Sequence, residues 1–229
     1  MLSRSFVALL LSIALVSLVA PSSAEAAQRG RCAVKGSGTL ARTSTVRVYR
    51  APRVYGVVYA CNYRTNRRFR LGLGEFGDPG VIRVAGPFVG FVDGTGGSSS
   101  GSFTVVSTLN TKTGREQHLA SLRSDSRPQQ SPSLGDVDES VTDLVQGANG
   151  ALAWIVEVTT YVECGKDMLG FPTACRSEKT YEVRILGRGH YSRHRVLESG
   201  PAIGPDSLAR RGDTLRWRSG GKTVVRALR

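Results

Sequence analysis

The sequence Asn149–Tyr161 (NGALAWIVEVTTY) carries the pattern that decides the fold. An Asn-Gly pair, which favours a turn, precedes a run rich in β-branched and aromatic side chains. Similar short runs recur along the chain between Gly, Asn, Asp and Pro clusters, and helix-period patterns are almost absent. Twelve runs are recognisable, at 45–49, 55–63, 68–71, 81–84, 88–92, 103–109, 141–145, 152–161, 180–186, 195–197, 214–218 and 223–228. They predict a single antiparallel all-β domain over residues 28–229.

Three segments share a glycine, then an apolar residue, then an aromatic residue two or three positions later. They are Gly86–Phe91, Gly150–Trp154 and Gly212–Trp217, and their last aromatic residues are 63 positions apart. A second alternating run follows each one, at 103–109, 181–186 and 224–228. This unit resembles the blade of secreted bacterial β-propellers of the WD40-like and TolB type, as does the hairpin-like stretch Asn110–Leu119.

The resemblance implies small or incomplete β-propeller-like antiparallel sheets, because the number of complete units is low and their period exceeds a usual blade. It also implies that Phe91, Trp154 and Trp217 hold the core of each unit. A β-sandwich is the alternative architecture, since two packed antiparallel sheets would give the same alternation of short strands and turns.

Residues 1–27 have the features of a signal peptide. Arg4 precedes the apolar run Phe6–Ala20, and Ala24-Glu25-Ala26 fits a small-x-small cleavage site. The 15 residues of this run are fewer than the ~20 that cross a bilayer as a helix. We therefore expect a secreted protein of the bacterial cell envelope, with no transmembrane segment after signal cleavage. Export also argues against intracellular nucleic acid as a partner.

The cysteines agree with export to an oxidising compartment. Cys32, Cys61, Cys164 and Cys175 all lie after the signal peptide. Four cysteines allow three pairings, which sequence alone does not distinguish. We favour Cys32–Cys61 and Cys164–Cys175 because each pair lies within one local unit. Since no Cys-x-x-Cys pair is present, no zinc site is predicted.

Basic residues concentrate at the two ends of the mature chain. The formal net charge is +13, and the cations are 26 Arg and 5 Lys. Arginine gives planar, bidentate contacts to phosphate and carboxylate groups. Two stretches mix arginine with an aromatic residue, and they supply the predicted binding residues Arg67, Arg68, Arg70, Arg216 and Arg218. Their field favours an anionic envelope polymer as the partner, with a protein partner as the other possibility.

The stretch 124–143 (SDSRPQQSPSLGDVDESVTD) is polar and contains proline, which predicts a mobile connector with an acidic second half. Its acidic residues lack the spacing of an EF-hand calcium loop. The glycine-rich motifs at 72–77 and 97–101 lack the helix that a cofactor loop or a nucleophile elbow requires. No catalytic residue, metal or cofactor is therefore predicted.

These patterns favour a secreted, non-catalytic binding or scaffold protein. The alternative is a secreted, glycan-directed hydrolase whose loops carry the active site, with calcium bound by the acidic cluster Asp136, Asp138, Glu139 and Asp143.

Overall fold

The computed structural model describes residues 32–52, 54, 56–71, 80–95, 103–122, 137–166, 168–170, 172–187 and 194–228. Every named element in these ranges is a β-strand. The predicted signal peptide and the two glycine-rich motifs lie outside the described residues. Within the described ranges, no helix has the length and apolar character needed to span a membrane.

Fifteen strands form four antiparallel sheets in the described part of the chain, and each sheet is a meander in chain order. The first sheet contains β1 (Gly38–Arg42), β2 (Val46–Arg50), β3 (Val58–Asn62) and β4 (Arg67–Leu71). The second contains β5 (Ile82–Ala85), β6 (Phe88–Thr95), β7 (Phe103–Asn110) and β8 (Arg115–Leu122). The third contains β9 (Val137–Gln146), β10 (Leu152–Lys166), β11 (Pro172–Leu186) and β12 (Arg195–Gly200). The fourth contains β13 (Ala209–Arg211), β14 (Thr214–Ser219) and β15 (Lys222–Ala227).

Each sheet packs against the next one along the chain. The first strands of neighbouring sheets contact each other, β1 with β5 and β5 with β9. Thr43 and Thr45 donate hydroxyl hydrogen bonds of 3.3 and 2.6 Å to the carbonyl of Gly86 in the following sheet. The all-β prediction is therefore confirmed, and the several small antiparallel sheets are consistent with an incomplete propeller-like arrangement or with the alternative β-sandwich.

Three apolar cores fill the spaces between successive sheets. Phe91 lies in the core between the first and second sheets, Trp154 between the second and third, and Trp217 between the third and fourth. All three side chains are essentially inaccessible to solvent. Their predicted role as core residues is confirmed. Burying a side chain of this size contributes roughly 2–3 kcal/mol, so these residues dominate the packing between sheets.

The second and third sheets approach closely at Gly90. A Cβ atom at this position would lie 2.6 Å from Leu152 Cδ1 and 2.7 Å from Gln146 Oε1. A larger residue at this position would therefore require the side chains of Leu152 and Gln146 to move. The same junction is fixed by a buried hydrogen bond of 2.9 Å from Thr108 Oγ1 to Gln146 Oε1.

Asp143 connects three of the four sheets. Its carboxylate accepts hydrogen bonds from Arg83 on β5 (3.3 Å) and from the backbone N–H of Leu208 just before β13 (3.0 Å). The side chain is almost fully buried. The predicted mobile connector over 124–143 therefore extends too far, because β9 begins at Val137 and contains this carboxylate. The rest of the connector, up to residue 136, lies outside the described residues.

The β10–β11 hairpin extends beyond the rest of the third sheet. Both strands have 15 residues, whereas β9 pairs with β10 only as far as Thr160. Met168 and Leu169 at the hairpin tip are exposed. Val162 on β10 lies opposite Cys175 on β11, which brings Cys175 and Cys164 onto adjacent strands. The side chain of Cys175 lies outside the described ones, so the pairing of these two cysteines stays a prediction.

Candidate anion-binding face of the first sheet

Strand alternation gives the first sheet one apolar face and one face of arginine and tyrosine. Val46, Val48, Val58, Ala60 and Leu71 belong to the core shared with the second sheet. On the opposite face, the strand register aligns Arg47 with Cys61 and Cys61 with Arg68. The next row aligns Tyr49 with Tyr59 and Tyr59 with Arg70. We call the side chains of Arg47, Tyr49, Tyr59, Arg68 and Arg70 the basic face.

The tyrosines and arginines of the basic face contact one another. The rings of Tyr49 and Tyr59 are stacked with centroids 5.9 Å apart. The guanidinium of Arg47 lies over the Tyr49 ring at 4.9 Å, and that of Arg68 lies 5.8 Å from the Tyr59 ring. Cation–π contacts orient a guanidinium without neutralising its charge. The arginines therefore remain able to attract an anion.

A disulfide holds the N-terminal segment against this face. Cys32 is bonded to Cys61 on β3, as predicted, and their Cα atoms are 5.7 Å apart. Both cysteines pack in a small buried cluster with Tyr49. The segment continues to Ser37, whose hydroxyl donates a hydrogen bond of 2.6 Å to the Val34 carbonyl. The cross-link thus fixes a short loop beside the arginine rows.

The stretch of sequence that forms the first sheet is basic and contains no acidic residue. Residues 32–71 contain eight arginines and Lys35, and neither Asp nor Glu. The described ion pairs lie instead at Asp143, Glu157, Glu139 and Glu182 in the third sheet. Arg68 and Arg70 are exposed, and neither has a carboxylate partner in the described part of the chain. A positive field of this kind attracts phosphate and carboxylate groups.

The structure separates the predicted residues Arg67, Arg68 and Arg70. Register pairs Arg67 with Asn62, on the face that carries Phe69, whereas Arg68 and Arg70 lie on the basic face. Arg67 stacks over the Phe69 ring at 5.1 Å. This contact lies beside the turn at Gly114 in the second sheet. Arg67 therefore belongs to the junction between two sheets and stands apart from the other two arginines.

The predicted residues Arg216 and Arg218 lie on β14 in the fourth sheet. They alternate with buried Leu215 and Trp217, so both arginines project from the opposite, exposed face. The fourth sheet also carries Arg210, Arg211, Lys222 and Arg226, against a single acidic residue, Asp213. The two terminal sheets are therefore both basic, as the charge distribution predicted, while contacts between successive sheets place the first and fourth at opposite ends of the series.

Sequence reasoning missed Arg47, Tyr49 and Tyr59. The signal was present in Thr45–Tyr49 (TVRVY), where alternation puts Arg47 and Tyr49 on the face opposite the valines. Tyr59 becomes part of the face only through its register with Tyr49. Such pairing between strands is set by turn geometry and burial of the other face, so it is not visible in one strand alone.

The acidic cluster considered for calcium is engaged in bonds within the protein. Asp138 accepts a hydrogen bond of 2.8 Å from the Tyr161 hydroxyl, and Glu139 forms an ion pair with Arg184. Asp143 binds Arg83 and the Leu208 N–H. Asp136 lies outside the described residues. Across the described ranges, no group of three His, Cys, Asp or Glu side chains is arranged to hold a metal ion.

Arg184 is a buried cation of the third sheet, and His194 lies within reach of its charge. Burial opposes the charge on Arg184, but hydrogen bonds and charge interactions with Glu139 and Glu182 outweigh it and raise its pKa. Burial lowers the pKa of His194, and the nearby charge of Arg184 lowers it further. The His194 ring meets Trp154 edge-on, with centroids 5.7 Å apart.

The sequence matches no protein-family model and no curated protein.

Proposed function

We propose that this chain is a secreted, non-catalytic binding protein of the bacterial cell envelope that contacts anionic polymers through its basic terminal sheets. The observation that carries the proposal is the composition of residues 32–71, which contain eight arginines and Lys35 and neither Asp nor Glu. Like charges on one surface repel one another and lower the stability of the folded state. An anionic ligand would reduce that repulsion.

The geometry of the first sheet supports an extended anionic ligand. Arg68 and Arg70 are two residues apart on β4, so their Cα atoms are about 6–7 Å apart along the strand. The two cations therefore form a row along the strand that an extended anionic polymer can follow.

The fourth sheet supplies a second surface of the same chemistry. Arg216 and Arg218 have the same two-residue spacing on β14 and are both exposed. A polymer long enough to reach both terminal sheets would gain affinity from two contacts instead of one.

The third sheet is assigned a structural role. The described carboxylates of its acidic cluster bind Tyr161, Arg184, Arg83 and the backbone of Leu208. A calcium ion would have to displace these partners. The terminal sheets therefore bind the polymer, and the third sheet supports the fold.

The test measures binding of the mature protein to poly(glycerol phosphate), polygalacturonate and neutral dextran while the salt concentration is raised. We expect binding to both anionic polymers to weaken steeply with salt, because bound counterions are released on association. The double variant Arg68→Gln/Arg70→Gln removes two cations from the basic face. It is expected to reduce the slope of log K against log salt by about 1.5 units.

The matched control is Lys166→Gln/Arg195→Gln, which removes two exposed cations from the third sheet. It changes net charge equally and should leave the slope nearly unchanged. Equal effects of the two double variants would reduce the interaction to nonspecific attraction by net charge. Equal binding of dextran, or no binding to either polyanion at low salt, would contradict the proposed function.

A further inference from the structure

A cleft of about 600 Å³ opens at the margin of the basic face. Its lining includes Cys32 and Ala33, Thr43 and Ser44 in the turn that joins β1 to β2, and Tyr63. Two arginines, Arg42 and Arg47, contribute to its wall. Clefts of 300–1,000 Å³ hold small organic ligands, so this one has room for a single sugar-sized unit.

Arg47 is held in a fixed position in the cleft wall by neutral acceptors. Its Nε donates a hydrogen bond of 2.8 Å to Thr39 Oγ1, and its Nη1 donates one to the carbonyl of Cys32. Its Nη2 donates to the hydroxyl of Ser37 at 2.9 Å and to the Ser37 carbonyl at 3.3 Å. None of these acceptors is a carboxylate. The guanidinium is therefore immobilised while its positive charge is retained.

The N–H groups of Arg47 are engaged within the protein, whereas those of Arg42 are available to a ligand. It is the last residue of β1, and its side chain is exposed. Within the described residues, the guanidinium of Arg42 and the hydroxyls of Ser44 and Tyr63 make no hydrogen bond to the protein. A guanidinium with free N–H groups binds a phosphate or carboxylate by two parallel hydrogen bonds. Hydroxyl groups nearby match the hydroxyls of a sugar.

We infer that this cleft binds one sugar or polyol unit that carries a phosphate or a carboxylate, with Arg42 as the direct anion ligand and Arg47 as a fixed positive charge. The inference rests on the proposed function, because it makes the cleft the place where a single unit of the anionic polymer is recognised. The rows of the basic face then contact the neighbouring units.

The test titrates the full mature protein with glycerol 3-phosphate, galacturonate, inorganic phosphate and neutral glucose, followed by calorimetry and by amide NMR shifts. We expect glycerol 3-phosphate or galacturonate to bind and to shift the resonances of Thr43 and Ser44, while glucose does not. The stronger of the two anions identifies phosphate or carboxylate as the group that the cleft prefers.

Arg42→Gln is expected to weaken binding of the small anion at least tenfold, because a charge-assisted bidentate contact is lost. The matched control is Arg64→Gln, since Arg64 is an exposed arginine in the β3–β4 turn of the same sheet and lies outside the cleft lining. It should bind the small anions as the unchanged protein does. Equal weakening by the two variants, or shifts scattered over the sheet, would overturn the inference.

The two proposals fail in different ways. Salt-dependent binding of the polymers without any binding of the small anions would overturn the cleft inference and leave the proposed function standing. Binding of a small anion that depends on Arg42, with no binding of either polymer, would overturn the proposed function while supporting a small-molecule site.

Discussion

The first and third sheets are both four-stranded antiparallel meanders, yet their arginines have opposite environments. In the third sheet, Arg184 has a side chain only 8% exposed and lies between Glu139 and Glu182. In the first sheet, Arg68 and Arg70 are exposed, and residues 32–71 contain neither Asp nor Glu. Within the described residues, one architecture therefore carries a cation with carboxylate partners and cations without them.

The difference separates stability from binding. A buried cation with carboxylate partners leaves uncompensated buried charge when it is removed, so its loss weakens the fold. An exposed cation without a partner contributes little to the fold, but it strengthens the field that a ligand meets. Substitution of Arg184 in the third sheet should thus change the free energy of unfolding, and substitution of Arg68 or Arg70 in the first sheet should change affinity.

The largest effect on stability is expected from removing the Cys32–Cys61 disulfide with Cys32→Ser/Cys61→Ser. The two cysteines are 29 residues apart, and opening a loop of that size costs about 3.5 kcal/mol in the chain-entropy model. Urea unfolding measures this loss. Because the carbonyl of Cys32 accepts a hydrogen bond from Arg47, affinity of the cleft for small anions should fall as well.

The control is Cys164→Ser/Cys175→Ser, which opens the shorter predicted loop on the projecting hairpin. It should cost less stability and leave binding of small anions unchanged. If both double variants lose that binding alike, the disulfide of the first sheet has no special relation to the cleft.

Arg184→Ala is expected to lower the free energy of unfolding by about 2 kcal/mol, because Glu139 and Glu182 lose their shared cation. The value is set below that of a fully buried pair because the Glu182 side chain is 24% exposed. Urea unfolding measures the stability, and the salt dependence of polymer binding should stay unchanged.

Arg68→Ala is the matched variant in the first sheet and should give the reverse pattern. Its stability should change by less than about 0.5 kcal/mol, since surface substitutions have small effects, while the salt slope falls. The comparison of the two sheets breaks down if Arg184→Ala reduces the salt slope as much as Arg68→Ala does.

Local patterns predicted the fold class and the orientation of several functional residues. Alternation in Thr214–Ser219 was sufficient to bury Trp217 and expose Arg216 and Arg218. Local sequence does not predict the burial of Asp143, because the polar stretch 124–143 favours a connector. The partners of Asp143 are Arg83 and Leu208, 60 and 65 residues away, so its burial is a consequence of tertiary packing.

The candidate site was only partly predictable for the same reason. Composition located the cations of the first sheet, but the division between Arg67 and Arg68 depends on which face packs against the second sheet. The cleft depends in addition on the Cys32–Cys61 cross-link, which brings a segment before β1 to the side of β3. Neither property is encoded in the spacing of the residues that carry it.

The smallest expected effect concerns pH. Burial and the charge of Arg184 lower the pKa of His194 below its ordinary value of about 6.5. The unfolded chain therefore takes up a proton first as the pH falls below about 6.5, and the folded state loses stability until its own lower pKa is passed. His194→Phe keeps an aromatic ring against Trp154 and should show less loss of stability between pH 7.5 and 5 in urea unfolding.

NMR titration of His194 connects this effect to the comparison of the sheets. In Arg184→Ala the repulsive cation is gone and Glu139 and Glu182 remain, so the pKa of His194 should rise. Arg68→Ala should leave it unchanged, because Arg68 belongs to the first sheet. An unchanged His194 pKa in Arg184→Ala would mean that burial, and not the charge of Arg184, lowers it. The charge of Arg184 would then act on Glu139 and Glu182 but not on His194.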